Sequence, residues 1–320
     1  MKYKNKTNSN EKKDEKLEQS ILMNLKRKEK YIEQISMVDE VPCFSWIDLN
    51  PTELCNRRCI FCPRSNPTFY PNQDLNISLK LAEKISDELK SLNYKGCLML
   101  CGYGEPLMHR EIVDLVSIFG KDIHTEIVTN GDKLTKNLIN KLYEAGLDMI
   151  LVSLYDGPNQ IEYFNKVFYD AGISKDKFIL RNRWYSMEED FGVKLTNRAG
   201  MVASGNQKSV NINRPCFYTH YSLQIDWNGD AMLCAQDFNK KIKIGNVYAQ
   251  SLMEIWKSKN LEKYRKVLGK SYRSHYPCKF CNVDGTLHGK KHAEIWNKIY
   301  EEKNETGRVR SSLKEQNKRN

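Results

Sequence analysis

Residues 44–63 read FSWIDLNPTELCNRRCIFCP, an apolar run that leads into a loop carrying three cysteines. Phe44 to Leu49 is rich in aromatic and branched residues and predicts a strand. Directly behind it, Cys55, Cys59 and Cys62 follow a C-x3-C-x2-C spacing. Three thiolates this close can grip three irons of a four-iron, four-sulfur cluster and leave the fourth iron without a protein ligand. An open metal position is where a substrate or cosubstrate coordinates. The competing reading is a zinc knuckle, but structural zinc takes four ligands and no histidine or fourth cysteine lies nearby.

Outward from this loop, short apolar runs alternate with amphipathic stretches. Strands are predicted over 97–102, 124–129, 149–154 and 177–184, and helices over 79–92, 110–119, 134–145 and 161–171. This rhythm argues for a parallel sheet with helices outside it. About five such units fit before residue 190, too few for an eight-fold barrel. Upstream, residues 1–16 are polar and predict disorder, and apolar positions from Leu17 to Ile35 fit one helical face. The pattern changes after residue 200. Tyr221 to Asp226 and Ala231 to Ala235 flank Asn228-Gly229 and predict a β-hairpin. A further strand is predicted over 242–247, one helix over 252–268 and a last helix over 293–300, ahead of a polar tail.

The chain has 320 residues, ten cysteines and a formal net charge of +11. More than half of the positive excess lies in residues 1–40 and 289–320. The basic runs Lys26-Arg27-Lys28 and Lys240-Lys241 are short and lack the interleaved aromatics of a nucleic-acid surface, so no nucleic-acid partner is expected. No apolar run reaches the ~18 residues of a membrane span, and the charged N-terminus is not a secretory signal. The expected address is the cytoplasm, where ten thiols point to metal binding or catalysis rather than to disulfides.

The cysteines sort by spacing. Cys216, Cys234, Cys278 and Cys281 fall in the C-terminal part, where a hairpin and a distant C-x2-C pair can close a whole cluster or hold a structural zinc. Cys43, Cys97 and Cys101, within or beside strands, are read as buried thiols of the core.

Leu54-Cys55-Asn56-Arg57-Arg58-Cys59-Ile60-Phe61-Cys62-Pro63 resembles the signature of the radical S-adenosylmethionine (SAM) enzymes. The resemblance implies an α/β fold, a partial (β/α)6 barrel, with Phe61 near the adenine of SAM. Gly102-Tyr103-Gly104-Glu105-Pro106 looks like the family's Gly-Gly-Glu-Pro motif, with Tyr103 in place of its first glycine. That match implies that Gly104 and Glu105 meet the methionine ammonium. Asn130 and Ser153 end later strands where the family contacts ribose and carboxylate, and Arg181 or Arg183 would supply a guanidinium for that carboxylate. The second cysteine group resembles the small α+β twitch domain, a shortened SPASM domain with one auxiliary cluster. The resemblance covers roughly residues 42 to 285. It divides the chain into an N-terminal tail and helix (1–41), the barrel (42–200), the twitch domain (201–300) and a disordered tail (301–320).

These likenesses imply two [4Fe-4S] clusters, SAM, and a flavodoxin- or ferredoxin-type electron donor. Cysteine spacing and small size resemble the twitch-bearing cyclitol dehydrogenases. They imply a radical oxidoreductase acting on a hydroxylated small molecule such as a sugar or cyclitol. A peptide-modifying radical SAM enzyme is the alternative within enzymes, and a zinc-binding module without catalysis is the alternative outside them. Arg198, in Asn197-Arg198-Ala199-Gly200 between the two domains, is the candidate to hydrogen-bond a substrate hydroxyl.

Overall fold

The computed structural model describes residues 22–184, 195–203 and 209–316, with residues 304–316 as backbone only. The polar N-terminal tail, the first turn of the helix predicted from Leu17 and the last residues of the C-terminal tail lie outside the described residues. Helix α1 (residues 22–32) leads to a two-strand ribbon, β1 (Met37–Val38) and β2 (Val41–Pro42). Then come β3 (Trp46–Leu49), α2 (Leu79–Ser91), β4 (Cys97–Leu100), α3 (Ile112–Phe119), β5 (Thr125–Thr129), α4 (Lys136–Glu144), β6 (Met149–Leu154), α5 (Asn159–Asp170) and β7 (Phe178–Asn182). The C-terminal part holds α6 (Tyr218–Tyr221), β8 (Ser222–Ile225), β9 (Asp230–Met232), β10 (Lys243–Asn246), α7 (Leu252–Trp256), α8 (Lys259–Leu268) and α9 (Lys290–Gln316).

The strands form one sheet in the order β10-β9-β8-β3-β4-β5-β6-β7. Strands β3 to β7 run parallel, as the β-α rhythm requires. The first arm of the predicted hairpin, β8, also lies parallel to β3, with Asp48 opposite Gln224, so the sheet has a sixth parallel strand taken from the C-terminal part. Within this sheet, among the described residues, only β9 and β10 add antiparallel pairings. Alternate side chains serve two faces, as in parallel sheets buried on both sides. Ile47, Leu49, Leu98, Leu100, Ile150 and Val152 pack against the helices. Trp46, Cys97, Met99 and Leu151 point into the lumen, where Ile32 of α1 joins them.

Helix α1 sits against the amino-terminal ends of the parallel strands. Arg27 pairs with buried Glu126 at the start of β5, and Tyr31 stacks on His124 at 4.5 Å. His124 lies 3.0 Å from Glu126 and 3.3 Å from Asp148. Burial pulls its pKa down, but the two carboxylates outweigh burial and hold it up at about 9.

Two C-terminal segments differ from expectation. The helix predicted over 252–268 is two helices, because Ser258 accepts from Leu261 N and starts a second one. The freed Trp256 carbonyl accepts from Arg265 Nη1 at 2.8 Å. Arg265 is fully buried between the rings of Trp256 and Trp296, at 4.0 and 3.9 Å, and ties α7, α8 and α9 together by cation–π contact. The last helix does not stop near Tyr300. It continues through Gln316 in place of the expected disordered tail, through a proline-free stretch rich in Glu, Lys and Arg, which are good helix formers. None of the described helices is long and apolar enough to cross a membrane.

Candidate active site

The loop after β3 carries Cys55, Cys59 and Cys62 onto the wall of a cavity of about 300 Å3 at the carboxy-terminal ends of the parallel strands. Its shape is fixed by side chains that the motif reading did not single out. Arg57 forks across Asp132 behind β5 and Asp156 behind β6, with contacts of 2.5 to 2.7 Å. Arg64 is buried, and donates to Tyr103 O at 2.7 Å and to Glu53 at 3.0 Å. Glu53 also pairs with Lys240, which reaches Asp226 at 2.7 Å, so the C-terminal part clamps the same loop. Asp132 and Asp156 each stand just past a strand end, which is the one sequence signal that could have found them. Burial pushes the Cys59 thiol up to about 12 and raises that of Cys55. Metal coordination reverses this, because a ligating thiol is deprotonated outright.

Most of the residues singled out from the sequence meet at this cavity. Phe61, Gly104, Glu105, Asn130, Arg181 and Arg198 line it. A Cβ on Gly104 would stand 2.1 Å from Thr52 O, so only glycine permits this approach of two backbones. Tyr103 is tolerated beside it because its buried ring packs edge-on against Phe238 at 4.8 Å. Glu105 accepts from Thr129 Oγ1 at 2.5 Å and from Asn130 N at 2.8 Å, and burial raises its pKa to about 7. The Asn130 side chain donates to Asn56 in the cysteine loop at 2.8 Å. Ser153 stands behind the wall and accepts from Arg181 Nη2 at 2.5 Å. Arg183 bonds its neighbour's carbonyl instead, Asn182 O at 3.1 Å. Arg198 sits over the Phe238 ring at 5.2 Å, on backbone with φ +47°. A non-glycine residue held there is strained, and such strain gathers at functional sites.

Cys216, Cys234, Cys278 and Cys281 line a second pocket, between α6, β9 and the turn at 278–281. Gly285 presses on it, since a Cβ there would stand 2.3 Å from Cys216 Sγ. Arg273 and Arg214 brace its wall through carbonyls, Arg273 at Pro215 O (2.9 Å) and Arg214 at Asn282 O (2.9 Å). All ten cysteines are free thiols. Cys43 and Cys97 are buried as expected, but Cys101 is only partly so: it lies on the wall of the first cavity and donates to Asp48 at 3.4 Å. The reason is its place one residue past β4, on the lumen face.

The spread of the sulfurs separates a cluster from a single ion. Thiolates around one zinc stand roughly 3.8 Å apart, given the Zn–S bond of about 2.3 Å. Among the described residues, only Cys97, His124 and Glu126 bring three donor atoms within 4.8 Å of one another. Neither cysteine set brings three sulfurs that close; the spacing is wider than a single zinc takes and leaves room for a larger group. The Cys97 trio is already neutralised without a cation, because Glu126 holds Arg27 and His124.

Comparison with known proteins agrees with this geometry. Residues 49–176 match the model of the radical SAM superfamily, and residues 216–282 match SPASM, an iron–sulfur cluster-binding domain. The S-adenosyl-L-methionine-dependent 2-deoxy-scyllo-inosamine dehydrogenase of Niallia circulans is 28% identical over 244 residues, covering 75% of this chain and 93% of that protein. The crystal structure of BtrN in complex with AdoMet and 2-DOIA superposes with a TM-score of 0.64 at 24% identity, covering 76% of this chain and 94% of that one. The GTP 3',8-cyclase of Rhizobium etli is 31% identical over 115 residues, 34% of this chain and 32% of the cyclase. The chain is therefore an enzyme of the radical SAM superfamily that carries an iron–sulfur cluster-binding domain of the SPASM type behind its barrel.

Proposed function

We propose that this enzyme oxidises a secondary alcohol of a hydroxylated small molecule, a sugar or a cyclitol, to a ketone. The observation that carries the reading is the set of four cysteines facing one pocket, Cys216, Cys234, Cys278 and Cys281. A cluster whose four irons each hold a cysteine has no open position for substrate and is free to accept an electron. The dehydrogenase named among the relatives supports the same class. When bound, the clusters and SAM supply a hydrogen-abstracting 5′-deoxyadenosyl radical at Cys55, Cys59 and Cys62 and an electron acceptor at the four-cysteine set.

The protein's own part is to hold and shield. Phe61, Gly104, Glu105, Asn130, Ser153 and Arg181 bind the cosubstrate in this reading, with the Arg181 fork suited to a carboxylate. Arg198 hydrogen-bonds the substrate hydroxyl. In becoming a ketone the alcohol gives up one hydrogen atom, one electron and one proton. A flavodoxin- or ferredoxin-type protein of the cytoplasm supplies the reducing electron.

Incubated anaerobically with SAM and a reductant, the protein is expected to form 5′-deoxyadenosine and a ketone in about equal amounts from a polyol. Deoxyadenosine formed with a peptide and with no polyol would contradict the proposal. Arg57→Ala is expected to lower the affinity of the first site for its iron roughly tenfold or more, the usual effect of losing a residue that orients metal ligands. Chelator competition measures this, and unchanged iron retention would show that the Asp132–Arg57–Asp156 fork does not hold the loop.

A further inference from the structure

A third cavity, of about 140 Å3, lies in the lumen between the two cysteine pockets. It shares Lys28, Trp46, Asp48 and Gln224 with the first pocket, and Tyr218 and Cys234 with the second. Its polar groups are poorly satisfied by the protein. Gln224 is 2% exposed, and neither its amide oxygen nor its amide nitrogen has a partner. Asp48, its register partner on β3, accepts from Trp46 Nε1 at 2.9 Å and from Cys101 through Oδ1. Among the described residues nothing donates to Asp48 Oδ2. Lys28 enters from α1, with Nζ 4.7 Å from the centre of the Trp46 ring. It makes no ion pair with a described carboxylate.

We propose that Lys28 is a specificity-determining residue which, with Asp48 and Gln224, seats a ring edge bearing oxygen and rejects one bearing an ammonium. The inference rests on the polyol reading above, and Lys28 lies outside both matched family regions. A hydroxyl can donate to Asp48 and accept from Lys28 at once. The buried amide of Gln224, which offers one donor and one acceptor, meets a neighbouring hydroxyl in either sense. A carboxylate on that edge also accepts from Lys28. A protonated amine can only donate, and it would place another cation beside Lys28 in a lumen that already holds Arg181 and Arg198. Low-dielectric surroundings make such crowding costly. Burial already lowers the Lys28 pKa, with Asp48 opposing it. A bound oxygen acceptor relieves that penalty.

The test is equilibrium dialysis of the cluster-loaded, SAM-bound enzyme against scyllo-inositol, glucuronate and 2-deoxy-scyllo-inosamine. The wild type is expected to bind scyllo-inositol or glucuronate roughly tenfold or more tighter than the amine, the scale of a hydrogen bond to a charged group. Which of the two binds tighter tells a hydroxyl from a carboxylate at that edge. Lys28→Met is expected to erase the preference, and Lys28→Glu to reverse it. Gln224→Leu, of similar volume, is expected to weaken scyllo-inositol by a like factor. Far-UV circular dichroism and iron content certify each variant as folded. Tightest binding of the amine by the wild type, or an unchanged preference in Lys28→Glu, overturns this inference and leaves the polyol reading standing. Binding of none of the three probes overturns both.

Discussion

Replacing Cys59 with alanine is expected to remove about four irons per chain and to abolish formation of 5′-deoxyadenosine. Cys59 is the middle ligand of a loop whose backbone is held independently of any metal. Cys62 N donates to Cys59 O at 2.9 Å, and Arg57 and Arg64 fix the loop from both sides. The thiol is only partly buried, so its loss opens no core cavity and the fold should survive with unchanged circular dichroism. What is lost is one of three grips on the iron. Two thiolates leave a second iron without a protein ligand, and the site no longer presents a single open position to SAM. Deoxyadenosine formation retained in Cys59→Ala would refute the assignment of Cys55, Cys59 and Cys62.

Replacing Cys234 should separate the two halves of the reaction. Cys234 follows β9 and meets Cys216, just ahead of α6, and the 278–281 turn in a pocket apart from the first cavity. Cys234→Ala is expected to lose about four irons as well, but to keep SAM cleavage uncoupled from product. Substrate then gives up its hydrogen atom without a destination for the second electron, and ketone yield is expected to fall at least ~100-fold, the scale of a missing catalytic partner. Ketone formed at the wild-type rate would show that the electron leaves by another route. Loss of about four irons in Cys234→Ala also excludes a zinc reading of the second set, since a zinc site has no iron to lose.

Much of this was legible in the chain because the decisive signals are local. The C-x3-C-x2-C loop, the order of strand-end motifs and the β-α rhythm each fit within a few dozen residues, and β6 falls at 149–154 as read. What escaped the reading is non-local. The pairing of β8 with β3 joins residues far apart in sequence, and no periodicity encodes a partner at that distance. The break at Ser258, by contrast, left a local trace: on one continuous helix Leu261 and Leu268 would lie opposite Leu252, Ile255 and Trp256, so the apolar stripe changes face at the serine. Lys28 read as one member of a short basic run, and its entry into the lumen depends on how α1 docks through Arg27 and Tyr31. Cys101 counted as a core thiol because strand alternation places it on the lumen face without saying that this stretch of lumen is a cavity.

The central claim is that the seven cysteines of the two sets hold two four-iron clusters. Iron and acid-labile sulfide, measured per chain on protein purified anaerobically, test it most directly. The account predicts about eight of each, with a brown protein. About four of each together with one equivalent of zinc, or zinc without labile sulfide, would contradict it.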